Sequence, residues 1–201
     1  MNSERTFQIA FWTLIGLMVL MRCWFAFRVR LAGERLMPDR AAIHREGWGA
    51  FAVRVAALLF FIALFAMIDL RCIRMRWFAF YLPAWLRWAA FAVGLASLGL
   101  WTWTHVELGR FWSAQLQLRA GHRLITTGPY ARVRHPMYTA ILVWATSLGL
   151  VLGNWIPLFL VAWAVAIFAS RVRPEERMML EQFGDEYREY MKRTGKFLPR
   201  W

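Results

Sequence analysis

Residues 7–27 read FQIAFWTLIGLMVLMRCWFAF, a run that carries a single formal charge, Arg22. A bilayer's hydrocarbon core is about 30 Å thick and asks a helix for roughly 20 such residues. A helix is also one of the few structures that satisfies all its own backbone polar groups in lipid. This segment therefore predicts a membrane span, and it is not alone. Apolar runs recur over 48–70, 83–106, 136–152 and 155–170, the last two parted only by Gly153-Asn154. At 1.5 Å per residue each of these two is about 25 Å long, enough for a thin crossing or a re-entrant hairpin. The expected fold class is all-α, a polytopic membrane protein with about five transmembrane helices, the last two forming a short hairpin. The polar stretches are too short to fold alone, so residues 1–201 are expected to form one membrane-embedded domain. No small-residue cleavage site follows the first run, which reads as a retained span rather than a leader.

Charge gives these spans a direction. The formal net charge is +13, a value that in a soluble chain would suggest nucleic acid. Here the arginines flank apolar spans, which is the pattern of topology and anionic headgroup contact, so no nucleic-acid partner is expected. Arg28, Arg30, Arg35, Arg40 and Arg45 follow the first run, and Arg110, Arg119, Arg123, Arg132 and Arg134 follow the third. The tail adds Arg171, Arg173, Arg177, Arg188, Lys192, Arg193, Lys196 and Arg200. The other side has only Arg5, Arg71, Arg74 and Arg76, so the positive-inside rule puts the N-terminus outside and the C-terminus in the cytoplasm. Arg22 and Arg54 lie near cytoplasmic span ends, where long side chains snorkel. Trp24, Trp48, Trp85 and Trp155 suit an interfacial belt. The two cysteines, Cys23 and Cys72, make no disulfide framework.

Beyond Arg173 the pattern changes. Pro174 suits a first helical turn and Glu175 and Glu176 suit its positive end. Met179, Phe183, Tyr187 and Tyr190 then recur at helical spacing, predicting a C-terminal amphipathic cytoplasmic helix.

Residues with chemical potential gather in two cytoplasmic segments, 115–138 and 171–190. Gly128-Pro129-Tyr130 and Arg134-His135-Pro136-Met137-Tyr138 stand immediately before an apolar run. Pro136 at the first helical position would leave the turn's amides facing the loop, a natural anion site. A plain loop-to-span junction with tyrosine anchors explains the same residues. Arg171 and Glu175 are four apart and share a helix face, which an ordinary ion pair also explains. His105, Glu107 and His44 read as interfacial polar residues. No metal-ligand spacing, Gly-x-Ser-x-Gly, Walker sequence or dinucleotide fingerprint is present, so no metal site is expected.

Taken together, His122-Arg-Leu-Ile-Thr-Thr-Gly-Pro-Tyr130, Arg134-His-Pro-Met-Tyr138, the short apolar hairpin, Glu175-Glu176 and Phe183-Gly184-x-x-Tyr187-x-x-Tyr190 resemble the isoprenylcysteine carboxyl methyltransferase family and its membrane-methyltransferase relatives. The resemblance covers roughly residues 100–201, which would form the cofactor-binding catalytic core, with 1–99 as variable N-terminal spans. It implies an enzyme using S-adenosylmethionine without a Rossmann domain, in a cytoplasm-facing pocket roofed by the C-terminal segment. Carried over by motif, cofactor contacts would fall at Gln115, His122, Arg123, Leu124, Ile125, Tyr130, His135, Pro136, Met137, Tyr138 and Glu175, and Arg171 would face the substrate. The implied acceptor is lipid-like, a prenylcysteine-type carboxylate, whose ionised oxygen needs no general base. Two other readings stand beside it: methylation of an amine on a phospholipid or other small acceptor, and a non-catalytic membrane scaffold or transporter.

Overall fold

The computed structural model describes residues 2–31, 55, 78–109 and 123–200. Four α-helices lie among them: α1 (Asn2–Leu31), α2 (Ala84–Leu108), α3 (Pro136–Leu152) and α4 (Trp155–Arg193), with a 3₁₀ turn at Gly128–Ala131. No strand forms among the described residues; two isolated bridges join Ala79 to Asn154 and Val133 to Gly195. Helices α1, α2 and α4 are long and apolar enough to cross a membrane, whereas α3 is shorter. The expected second span, 48–70, lies outside the described residues apart from Val55, as do Cys72, Arg54, His44 and Trp48.

The buried seam of α1 is Phe7, Ala10, Phe11 and Leu14, one face at helical spacing. It meets Ala90 and Leu98 of α2 and Leu148 and Val151 of α3. Backbones approach closely at Gly94, where a Cβ would fall 2.9 Å from a Leu14 methyl and 3.2 Å from Ser147 Cβ. Small residues at such crossings are how helices pack where lipid is as apolar as the side chains. Trp144 Nε1 adds a donation to the Leu14 carbonyl at 3.3 Å.

Arg87, near the start of α2 and unremarked in the sequence pattern, is buried and engaged on several sides. Its guanidinium meets both Glu4 carboxylate oxygens at 2.7 and 3.1 Å and donates to the Val151 and Leu152 carbonyls at 2.8 and 3.3 Å. It also lies 3.7 Å from the centre of the Phe7 ring. A cation on the last carbonyls of α3 satisfies groups the helix cannot, and favours its negative end. One residue thus ties α1, α2 and α3 together at the end that holds the hairpin turn.

That turn is tight. Gly153 takes the left-handed conformation at φ 62°, and Asn154 Oδ1 caps α4 by accepting from the Ile156 amide at 2.9 Å. Phe80 N–H reaches back to the Gly153 carbonyl at 2.8 Å.

The expected start of a separate helix at Pro174 is not found. The helix opened at Trp155 runs on through Pro174, and α4 (Trp155–Arg193) consists of two helical stretches joined at a kink at Gly184 (φ 52°, ψ −120°). A hydrocarbon core of ~30 Å is used up about 20 residues after Trp155, near residue 174, so the rest of α4 lies beyond it. His105 also departs from the interfacial reading. It is buried against Trp101 and Phe25, with Nδ1 3.0 Å from the Trp101 carbonyl. Trp24, Trp85 and Trp155 are exposed, as belt residues should be.

Candidate active site

Pro136 opens α3 as the sequence predicts, with Pro at the first helical position and His135 before it. The opening of α3 faces the middle of α4, and this brings the two polar segments together. Tyr138 donates its hydroxyl to Glu175 Oε1 at 2.5 Å, and Arg171 Nε donates to the same oxygen at 2.7 Å. His135 Nδ1 lies 3.6 Å from Glu175 Oε2, and its Nε2 lies 3.4 Å from Glu176 Oε1. The imidazole is therefore held between two carboxylates. The Tyr138 ring stacks on His135 at 5.6 Å and on Phe168 at 4.3 Å between centroids.

Glu176 carries a second network. Arg134 Nε reaches its Oε1 at 2.9 Å and Lys196 Nζ its Oε2 at 3.2 Å. It lies past the apolar part of α4. Burial opposes its charge, but hydrogen bonds from His135, Arg134 and Lys196 overcome that and hold its carboxyl at about 2. Arg134 also donates to the Met191 and Thr194 carbonyls at 3.1 and 2.5 Å.

The segment after α4 closes over this junction. Gly195 pairs in parallel with Val133, the Arg134 amide donates to the Gly195 carbonyl at 2.9 Å, and the His135 amide donates to the Lys196 carbonyl at 3.0 Å. Thr139 Oγ1 donates to the Phe197 carbonyl at 2.6 Å, and the Phe197 ring stands 6.0 Å from that of His135. Residues 194–197 thus form a strap over the start of α3. The strap takes the His135 amide, which precedes the amides of the helical turn itself.

The structure brings together Arg171, Glu175, His135 and Tyr138, with Pro136 and Met137 in the same turn. Tyr130 is buried beside them in the 3₁₀ turn, and its carbonyl accepts from the Tyr190 hydroxyl at 2.7 Å. Burial raises the Tyr130 hydroxyl above its ordinary ionisation range, and nearby acidic groups add to it. Arg123, Leu124 and Ile125 lie on the extended stretch leading into that turn, with Arg123 exposed and the other two half-buried. At its far side Thr127 donates to Glu107. Gln115 and His122 lie outside the described residues.

Sequence reasoning missed Phe168, Thr194, Lys196 and Phe197 as parts of the site. Phe168 had a signal, being three and seven positions before Arg171 and Glu175 on one helix face. For the strap the resemblance implied only that the C-terminal segment roofs the pocket, without naming the residues that do so.

Two carboxylates that accept hydrogen bonds, beside four rings, suit a ligand carrying cationic sulfonium and ammonium groups. Among the described residues no group of three or more metal-ligating side chains occurs.

Comparisons with known proteins bear on the same segment. Residues 88–181 match the model of the isoprenylcysteine carboxyl methyltransferase (ICMT) family. The chain is 37% identical over 81 residues to a protein-S-isoprenylcysteine O-methyltransferase of Schizosaccharomyces pombe, covering 39% of this chain and 34% of that protein. It is 32% identical over 108 residues to the cobalt-zinc-cadmium resistance protein CzcN of Cupriavidus metallidurans, covering 53% and 50%. The solved structure of a eukaryotic intramembrane Ras methyltransferase, ICMT, superposes with a TM-score of 0.53 at 24% identity, over 74% of this chain and 51% of that one. That last likeness concerns the fold. The chain spans between a third and a half of the length of the curated relatives it matches.

Proposed function

From the family resemblance over residues 88–181, we propose that the chain is a membrane methyltransferase that uses S-adenosylmethionine and acts on a lipid-like acceptor, a prenylcysteine-type carboxylate. The observation that carries this reading is the convergence of Tyr138, Arg171 and His135 on Glu175. Glu175 would bind the cofactor's ammonium or ribose hydroxyls, and the rings of His135, Tyr138, Phe168 and Phe197 would shelter it from water. The Met137 and Tyr138 amides at the positive start of α3 would face the methionine carboxylate. When bound, the cofactor supplies an electrophilic methyl group, which an ionised carboxylate attacks in line without losing a proton. Most of the rate must then come from alignment and exclusion of water. Arg171, one turn before Glu175 on the same helix face, would orient the acceptor carboxylate. The site would lie on the cytoplasmic side, with the N-terminus outside, and residues 100–201 would be the catalytic core.

Calorimetric titration of the purified protein with S-adenosylhomocysteine tests the donor half. Saturable binding is expected, and it should be lost in His135→Ala. Absence of binding by folded wild-type protein overturns the reading. A second acceptor class is kept open by one contact: Arg171 already spends its Nε on Glu175, which leaves room for an amine acceptor. The two are separable chemically. Methyl groups placed on a carboxylate leave as methanol in mild base, whereas methyl groups on nitrogen stay.

A further inference from the structure

A cavity of about 1090 Å³ lies against α4 where it leaves its apolar run, beginning at Ala169 and Ser170. It shares two residues with the strap, Lys196 and Phe197, but lies outside the Glu175 cluster. Its walls are of two kinds. Arg173, Arg177 and Lys196 supply three cations against one acid, Glu181, while Met178 and Phe197 supply apolar surface. Arg173 and Arg177 are four apart and stand on one face of the helix. Both are exposed, and no ion pair engages either among the described residues. The neighbouring cations Arg134 and Arg171 are consumed by Glu176 and Glu175. Above the cavity, Phe159, Trp163 and Val165 of α4 are exposed apolar residues on the membrane-spanning part.

A span begun at Trp155 exhausts the ~30 Å hydrocarbon core after roughly 20 residues, near position 174. Arg173 and Arg177 therefore sit at headgroup level, with the apolar flank of α4 above them. We propose that this cavity holds the phosphate headgroup of an anionic phospholipid, its acyl chains lying along the exposed side of α4. Net positive charge within the cavity selects an anionic over a zwitterionic headgroup. Lys196 bridges the cavity and Glu176, and Phe197 separates the cavity from His135, so the lipid would also buttress the strap.

The test uses the full chain in nanodiscs of equal phosphatidylglycerol and phosphatidylcholine, followed by mass spectrometry of the lipids retained after detergent transfer. Wild-type protein should retain phosphatidylglycerol in excess, and Arg173→Gln/Arg177→Gln should lose that excess by roughly tenfold. A control, Arg188→Gln/Lys192→Gln, removes the same charge from exposed surface further along α4 and should keep it. Thermal melting and S-adenosylhomocysteine affinity of the cavity variant should stay near wild type, which separates this proposal from the methyl-transfer reading. Equal loss in both variants would mean a diffuse field rather than a site. No enrichment in the wild type, or unchanged lipid retention with a raised acceptor KM in the cavity variant, also overturns the proposal. Arg173→Lys/Arg177→Lys should restore retention.

Discussion

Glu175 Oε1 accepts from two donors at once, Tyr138 at 2.5 Å and Arg171 at 2.7 Å, while Oε2 faces His135. Such sharing fixes the carboxylate and lowers the number of arrangements a ligand must select among. Hydrogen bonds to charged groups contribute about 1.5–3 kcal/mol, so Glu175→Gln should weaken S-adenosylhomocysteine binding ten- to a hundredfold, measured by titration. Arg171→Ala should mainly slow turnover, with a smaller loss of affinity through the freed Glu175, and the double variant should fall short of the sum. If Arg171→Ala costs as much affinity as Glu175→Gln, Arg171 is a positioning group for Glu175 rather than an acceptor contact. Much of this was readable in the sequence: the four-residue spacing put Arg171 and Glu175 on one face, and Pro136 marked the opening of α3. What was not readable was the second carboxylate's partnership. Arg134 reaches Glu176 from the junction before α3, and Lys196 reaches it from the segment after α4.

At the scale of elements, the hairpin turn and the length of α4 govern where the site stands. Gly153 is left-handed, and a Cβ on it would fall 2.8 Å from the Phe80 carbonyl oxygen. Gly153→Ala should therefore cost about 2 kcal/mol of stability, read as a lowered unfolding midpoint in mixed detergent, with the donor site itself untouched. Gly153-Asn154 was legible as a turn because it alone interrupts 35 residues of apolar sequence. The continuity of α4 was not. Pro174 forfeits one backbone bond, and in isolation that suggests a helix start. Passage through Pro174 is favoured by the inner face on either side of it, where Leu160, Val172 and Glu176 are buried. Gains of that kind arise from tertiary packing and leave no local trace around the proline.

The whole molecule has two unlike ends. At one, Glu4 and Arg87 close the termini of α1, α2 and α3 beside the hairpin turn. At the other stand Arg28 and Arg30 of α1, the Arg134-His135 junction and the charged half of α4, where acids and bases alternate. The charge imbalance between those ends is what the sequence exposed first, and it sets the expected orientation. In a background with Cys23 and Cys72 replaced by Ser, Asn154→Cys should react with an impermeant maleimide added outside intact cells. Arg188→Cys should react only after permeabilisation, and the reverse pattern would invert the topology. The number of crossings was less legible, because 136–152 is too short to vote by length alone.

The strap has a consequence in time as well as in space. Arg134 and His135 enter the membrane boundary while residues 194–197, which complete their bonding, have not yet been synthesised. Helices α1 to α3 can insert and pack first, but the junction stays unfinished until some sixty further residues follow. Competence to bind a methyl donor would then wait for residues 194–197, and a chain made only as far as α3 would occupy membrane without drawing on the cell's cofactor.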